Sequence, residues 1–409
     1  MLLQTRIQLL KTQACIVMLG IKGERTMFKG LIAIFFVVTL GGNIYADQTS
    51  TPEVRPSPIT PNEAIKELSK FVDKMTDEGV FSGTVLLAKD GKVLYAAARG
   101  MASKRFNVPN NLQTKFSLAS MNKMFTATAI LQLAEKNKIS LTDKLSQYLD
   151  ESWLPKEISS KIEIQHLLTH ASGLSSYFTD RFFESSKSQF VNLADFKPFI
   201  VTDTLKFEPG TDYKYSNNGM LLLGAVIESV TDEDYFEFIR RNIYLPANMI
   251  NSDCYRMDEP VPNLAIGYNA SPERQTGWIN NFYWKPLRGG PAGGCYSTVE
   301  DLHNFATTLT SYKFLNRENT ASLYSPKHEF HQKPYGYGFK ISGTPGNRIV
   351  GHRGGFVGIS SNLDIFLDAG YVSVVLSNHG GGSIPIYEKI RELIKKMDPR
   401  GSQVTAGAE

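Results

Sequence analysis

The chain has 409 residues, enough to bury one large core or two moderate ones, and its 42% hydrophobic and 21% charged content is that of an ordinary folded protein. Its formal charge of +4 comes from the first 46 residues, which hold five of the 44 Lys and Arg and one of the 40 Asp and Glu. Without them the chain is formally neutral, so nothing recommends nucleic acid or an anionic membrane surface as a partner.

Residues 1–46 read as a secretory signal peptide. Met27-Phe28-Lys29 precedes an apolar run from Leu31 to Leu40, and small and polar residues follow to Ala46. That run is about half of the ~20 residues a membrane-crossing helix needs. A removable leader is therefore expected, with Met27 as an alternative start, no stable membrane span after its removal, and export to the periplasm or the medium. Residues 47–59, rich in Thr, Pro and Ser, read as a solvated linker. The folded body is expected over 60–398 and a disordered tail over 399–409. Nothing in the sequence sets an oligomeric state. Cys15 leaves with the leader, and Cys254 and Cys295 are too few and too far apart for a metal-ligand cluster. They either pair in an oxidising compartment or stay as two buried thiols.

The body opens on Thr60-Pro61-Asn62-Glu63, which offers a helix cap, a proline at the first helical position and a glutamate three residues after the cap. Ile65, Leu68, Phe71, Val72 and Met75 follow at helical spacing. A hairpin is expected next, with Gly83–Ala88 and Val93–Ala98 turning at Asp90-Gly91. Ser120-Met121-Asn122-Lys123 then starts an apolar helix, placing Lys123 one turn after Ser120 on the same face. An amine in apolar surroundings is costly to charge, so it can act as a base towards the hydroxyl. The pair alone is a weak signal, since a capping serine is the plain alternative.

His166 and His170 stand four apart on an expected helix, a zinc spacing, but without the H-E-x-x-H glutamate a core or capping role is the better reading. Tyr215-Ser216-Asn217 follows the turn at Pro209-Gly210 and sets a phenol and an amide side by side before a helix over Met220–Val230. A tyrosine beside a lysine can lose its proton more readily. Trp278, Phe282, Tyr283 and Trp284 either line a cleft or pack under a long loop. His328 and His331 sit among charged residues and read as solvated, and Tyr335-Gly336-Tyr337-Gly338 reads as the approach to a strand, without chemistry of its own. Arg348–Val350, Ile359–Leu367 and Tyr371–Leu376 read as strands. Between the first two lies Gly351-His352-Arg353-Gly354-Gly355, where glycines permit close approach of a ligand. A final helix is expected over Pro385–Lys396. Strands at both ends with a helical middle point to a mixed α/β fold: one antiparallel sheet built from both termini, flanked by helices, with an inserted helical region.

The three polar elements, in this order and at these separations, resemble the serine β-lactamase and penicillin-binding-protein superfamily, in the branch nearest the class C β-lactamases, D-amino acid peptidases and related esterases. The flanking phrases Phe116–Ala119, Ile164–Leu174 and Pro291–Thr298 share the likeness, which runs from about Pro61 to Lys396. The resemblance implies the β-lactamase/transpeptidase fold with a cleft between sheet and helical subdomain, and no metal or organic cofactor. It implies that Ser120 forms an acyl-enzyme, that Lys123 and Tyr215 share base and acid duty, and that Asn217, His352 and Gly354 contact a small-molecule or peptide substrate. The oxyanion hole would be the backbone N–H groups of Ser120 and Gly355. Relatives with strong β-lactamase activity carry Lys, then Thr or Ser, then Gly on this strand, where His352-Arg353-Gly354 stands here, with His352 expected neutral. Hydrolysis of an ester or amide (a D-amino acid peptide, a peptidoglycan fragment or a small ester) is thus expected. A penicillin-binding or peptidoglycan-fragment receptor with little turnover, or a weak β-lactamase, is the alternative.

Overall fold

The computed structural model describes residues 58–398; the expected leader, the linker up to residue 57 and the tail from 399 lie outside the described residues. The first helix, α1 (Pro61–Asp77), is fixed at its start by the reciprocal cap legible in the sequence. The Glu63 N–H donates to Thr60 Oγ1 at 3.3 Å, and the Thr60 N–H donates to Glu63 Oε2 at 2.8 Å. Strands β1 (Gly83–Lys89) and β2 (Lys92–Arg99) form the expected hairpin, with Asp90 at φ +48° and Gly91 at φ +76°.

Helix α2 (Asn122–Glu135) is buried without a break from Asn122 to Leu133. A helix buried on every side belongs in the middle of a core, and Phe125, Ile130 and Leu131 are part of the main hydrophobic cluster. Further helices of the middle region are α3 (Ile164–Leu168), α4 (Asn217–Thr231) and α5 (Val299–Thr310). The chain then returns through β3 (Lys340–Thr344), β4 (Asn347–Phe356), β5 (Ile359–Phe366) and β6 (Tyr371–Ser377) and ends in α6 (Ser383–Met397).

The six strands form one antiparallel sheet in the order β2-β1-β6-β5-β4-β3, so the two ends of the body meet where β1 pairs with β6. Side chains alternate across it. Val350, Leu363 and Ile365 face the helical middle, whereas Ile349, Phe366 and Val375 face α1 and α6. Three differences from the sequence reading bear on the site. Strand β4 runs on through the glycines to Phe356, where β5 alone holds its backbone because the pairing with β3 ends at Gly351, and edge strand β3 has too weak an alternation to be seen in advance. His166 and His170 do not share a helix: α3 stops at Leu168, and His170 lies beyond it at φ +61°.

Candidate active site

Ser120 sits in a short 3-10 turn, Ala119–Met121, directly before α2. Its neighbours fix the turn from two sides. The Leu118 N–H donates to the Cys295 carbonyl at 2.8 Å, and the Gly294 N–H donates to the Ala119 carbonyl at 3.2 Å. From the sheet, Ser361 Oγ donates to the Leu118 carbonyl at 2.8 Å. Gly354 is required by this approach, because a Cβ there would lie 1.9 Å from the Leu118 oxygen and 2.2 Å from Ser361 Oγ. Ala119 adopts φ +45°, which a non-glycine residue holds only when its surroundings impose it. Cys254 and Cys295 form a disulfide, the first of the two options open in the sequence, and it secures the segment that carries these bonds. Asn122 Oδ1 accepts from the Cys295 N–H at 3.2 Å on the helix side of the same segment.

Lys123 is fully buried. Its Nζ donates to Asn217 Oδ1 at 2.9 Å and to the Ala292 carbonyl, and it lies 4.9 Å from the centre of the Tyr215 ring. Burial, reinforced by the charge of Lys340 on β3, holds its pKa well below the ordinary lysine value. A neutral amine has two N–H groups and one lone pair. The two carbonyl-type acceptors account for both protons, which leaves the lone pair as the unfilled position.

Ser120 lies near enough to the Tyr215 hydroxyl to lower its pKa. The expectation that the neighbouring lysine makes this phenol more acidic is corrected here. Burial raises its pKa above the ordinary value, opposed only in part by the nearby Ser120 hydroxyl, because Lys123 is uncharged and has no positive field to offer. Asn217 is the first residue of α4 and is buried, its Oδ1 on Lys123 and its Nδ2 donating to Ser176 Oγ at 3.0 Å. Folding therefore brings Ser120, Lys123, Tyr215 and Asn217 together.

The strand motif splits between the two faces of the sheet. His352 is buried on the site side with its Nε2 at 3.2 Å from the Tyr335 hydroxyl, and Gly354 meets the Ser120 turn. Burial, together with the nearby charge of Lys340, depresses the His352 pKa well below the ordinary value, so the ring is neutral. Arg353 points the other way, donating from Nη1 to Tyr387 Oη of α6 at 2.7 Å. Gly355 is exposed, with open space where a Cβ would stand.

Four residues near the site carried no functional reading in the sequence. Ser176 supports Asn217; Lys340 supplies charge from β3; His170 packs at a tilt against Tyr215 with ring centres 4.3 Å apart; and Tyr335 lies between His170 and His352. His170 lies within the phrase Ile164–Leu174, where the sequence supports no more than a core or capping role for it. His166 is a capping residue, its Nδ1 accepting from the Glu163 N–H at 3.1 Å. His331 is buried rather than solvated, with Nε2 3.0 Å from the Thr169 carbonyl. Among the described residues no group of three or more His, Cys, Asp or Glu is placed to hold a metal ion, and no helix is long and apolar enough to cross a membrane.

The aromatic residues before the glycine-rich phrase separate into two groups. Trp278 packs on His379 at 4.4 Å and under Lys104 Nζ at 4.0 Å. Trp284 meets Phe183, which leads through Phe178 to Phe356, the residue after Gly355; the Phe178 and Phe356 rings stack at 5.4 Å.

This fold and this cluster define the class, and comparison with known proteins agrees. The chain belongs to the beta-lactamase family, whose model matches residues 68–392. It is 30% identical over 329 residues to penicillin-binding protein 4* of Bacillus subtilis (strain 168), covering 76% of this chain and 71% of that one. A penicillin-binding protein from Bacillus halodurans of known structure is 30% identical with a TM-score of 0.72, the match covering 79% of this chain and 98% of that one. The D-amino acid amidase of Ochrobactrum anthropi SV3 shares the fold at 22% identity and a TM-score of 0.70, over 82% of this chain and 99% of that one.

Proposed function

We propose that this protein is an exported serine hydrolase that cleaves an ester or amide through an acyl-Ser120 intermediate. The observation that carries the proposal is the packing of the cluster: a fully buried Lys123, one turn after Ser120, whose Nζ reaches the Asn217 amide oxygen and the Ala292 carbonyl and lies against the Tyr215 ring, with burial holding its pKa low. Ser120 Oγ attacks the carbonyl carbon, and its proton passes to the Lys123 and Tyr215 pair. The tetrahedral oxyanion takes hydrogen bonds from the Ser120 and Gly355 N–H groups. When the C–N or C–O bond breaks, the leaving group receives the proton from the same pair. Water then attacks the acyl-serine with the pair again accepting a proton, and Ser120 regains its own.

Asn217 holds Lys123 and is the group nearest the amine to meet a substrate carbonyl; His352 and Gly354 form the strand side of the cleft. The substrate classes are D-amino acid peptides, peptidoglycan fragments and small esters. Strong β-lactamase activity is not expected, since His352 is neutral and Arg353 faces α6, so this strand offers no cation and hydroxyl pair for a ligand carboxylate. The buried Cys254–Cys295 disulfide supports export, because such bonds persist in oxidising compartments. Turnover of a nitrophenyl ester or a D-amino acid amide by the mature protein, lost in Lys123→Ala and Tyr215→Phe, is the expected outcome. A protein that binds peptidoglycan fragments without turning over either substrate would instead be a receptor.

A further inference from the structure

Three buried side chains behind Tyr215 form a connected series that the proposed chemistry does not use. The Ser216 N–H donates to His170 Nδ1 at 3.2 Å; His170 Nε2 lies 3.2 Å from the Tyr335 hydroxyl; that hydroxyl lies 3.2 Å from His352 Nε2; and His352 Nδ1 lies 2.6 Å from the Arg353 carbonyl. His170, Tyr335 and His352 are each 2% exposed or less. An unpaired donor or acceptor among them would be costly.

The two ends of the series fix every proton in it. A backbone N–H can only donate, so His170 Nδ1 carries no proton and its Nε2 must carry one. A carbonyl can only accept, so the proton of His352 is on Nδ1 and its Nε2 is bare. The bonds therefore run in one direction: His170 Nε2–H to Tyr335 Oη, Tyr335 O–H to His352 Nε2, and His352 Nδ1–H to the Arg353 carbonyl. No proton is missing and none is in excess. Protonation of His170 would set two donors, its Nδ1–H and the Ser216 N–H, against each other. Burial and the neighbouring charge of Lys340 oppose charge on both imidazoles.

We infer that His170, Tyr335 and His352 are positioning residues, a neutral one-way hydrogen-bond series that spans from the turn carrying Tyr215 to strand β4 and sets the phenol against the nucleophile. The series starts one residue after Tyr215, at the Ser216 N–H, and ends at Arg353, next to Gly354, the close-approach glycine of the Ser120 turn. His170 adds the ring contact to Tyr215 at 4.3 Å. Rigid support of this kind governs how well a reacting group is aimed rather than how tightly substrate binds.

This inference rests on the hydrolase reading of the Ser120 site. In Tyr335→Phe, kcat is expected to fall about tenfold with KM within about twofold, since only aim is lost. In a Tyr215→Phe background the same substitution is expected to cost less than about twofold, because the hydroxyl it aims is already gone. Nitrogen-15 NMR of the wild-type protein, with signals assigned through His170→Asn and His352→Asn, should show opposite neutral tautomers: protonated Nε2 at His170 and protonated Nδ1 at His352. An unchanged kcat, a full tenfold loss in the double variant, matching tautomers or a charged imidazole at neutral pH would each overturn it. A wild-type protein that neither turns over substrate nor acylates would sink the hydrolase reading separately, and the tautomers would still decide whether the series exists.

Discussion

The two faces of the central strands solve the same problem in opposite ways. Towards the helical middle, Lys123, His170 and His352 are buried without a carboxylate, and burial leaves all three uncharged. Towards α6, Asp364 is buried on β5 but accepts from Arg391 Nε and Nη2 at 2.7 and 2.8 Å. Burial opposes the charge of Arg391 too, yet the carboxylate outweighs it and the guanidinium is raised above its ordinary pKa. A paired charge gives structure, whereas an unpaired and therefore neutral base gives a group able to take a proton. Residues one apart on a single strand, His352 and Arg353, belong to different halves of this arrangement.

The contrast is broken most severely by removing the inward groups. Ser120→Ala is expected to lower kcat by about 10⁴-fold or more, measured with whichever ester or amide the wild type turns over. Lys123→Ala should cost nearly as much and Tyr215→Phe about 10²-fold or more, each with the circular dichroism spectrum of the folded protein retained. The outward face should show the converse. Arg391→Met strands the Asp364 carboxylate, so a loss of about 3 kcal/mol in denaturant unfolding is expected while kcat changes less than twofold.

The pH dependence sharpens the comparison further. Activity needs Lys123 neutral, so kcat/KM falls on the acid side as this amine takes up a proton. Tyr215 is raised above its ordinary value of 10.0, so no loss from its ionisation is expected below pH 10. Lys340→Met removes a charge that opposes protonation of Lys123. The Lys123 pKa then rises, and the acid limb should move to higher pH by less than about one unit. This is the smallest of the expected effects. A shift to lower pH would contradict the assignment of the limb to a lysine facing Lys340.

Much of this was readable from residue patterns. The α1 cap, the Asp90-Gly91 hairpin and the final helix follow from local chemistry, and Ser120, Lys123, Tyr215 and Asn217 stand in recognisable spacings. Strand β3 and the last residues of β4 were not readable, because cross-strand bonding rather than side-chain alternation keeps them extended. His170 and Tyr335 escaped for a related reason. They are 165 residues apart, and their roles arise only from the hydrogen bond between them. The Tyr215 acidity is not legible in the sequence, because proximity to a lysine does not show whether that lysine carries a charge.

The central claim, that Ser120 is acylated by virtue of an uncharged lysine beside it, is tested most directly by mass-spectrometric peptide mapping after brief exposure to a fluorophosphonate. One adduct on the peptide bearing Ser120 is expected in the wild type, none in Ser120→Ala, and much slower labelling in Lys123→Ala. Persistent labelling of Ser120→Ala, or equal rates with and without the amine, would contradict it.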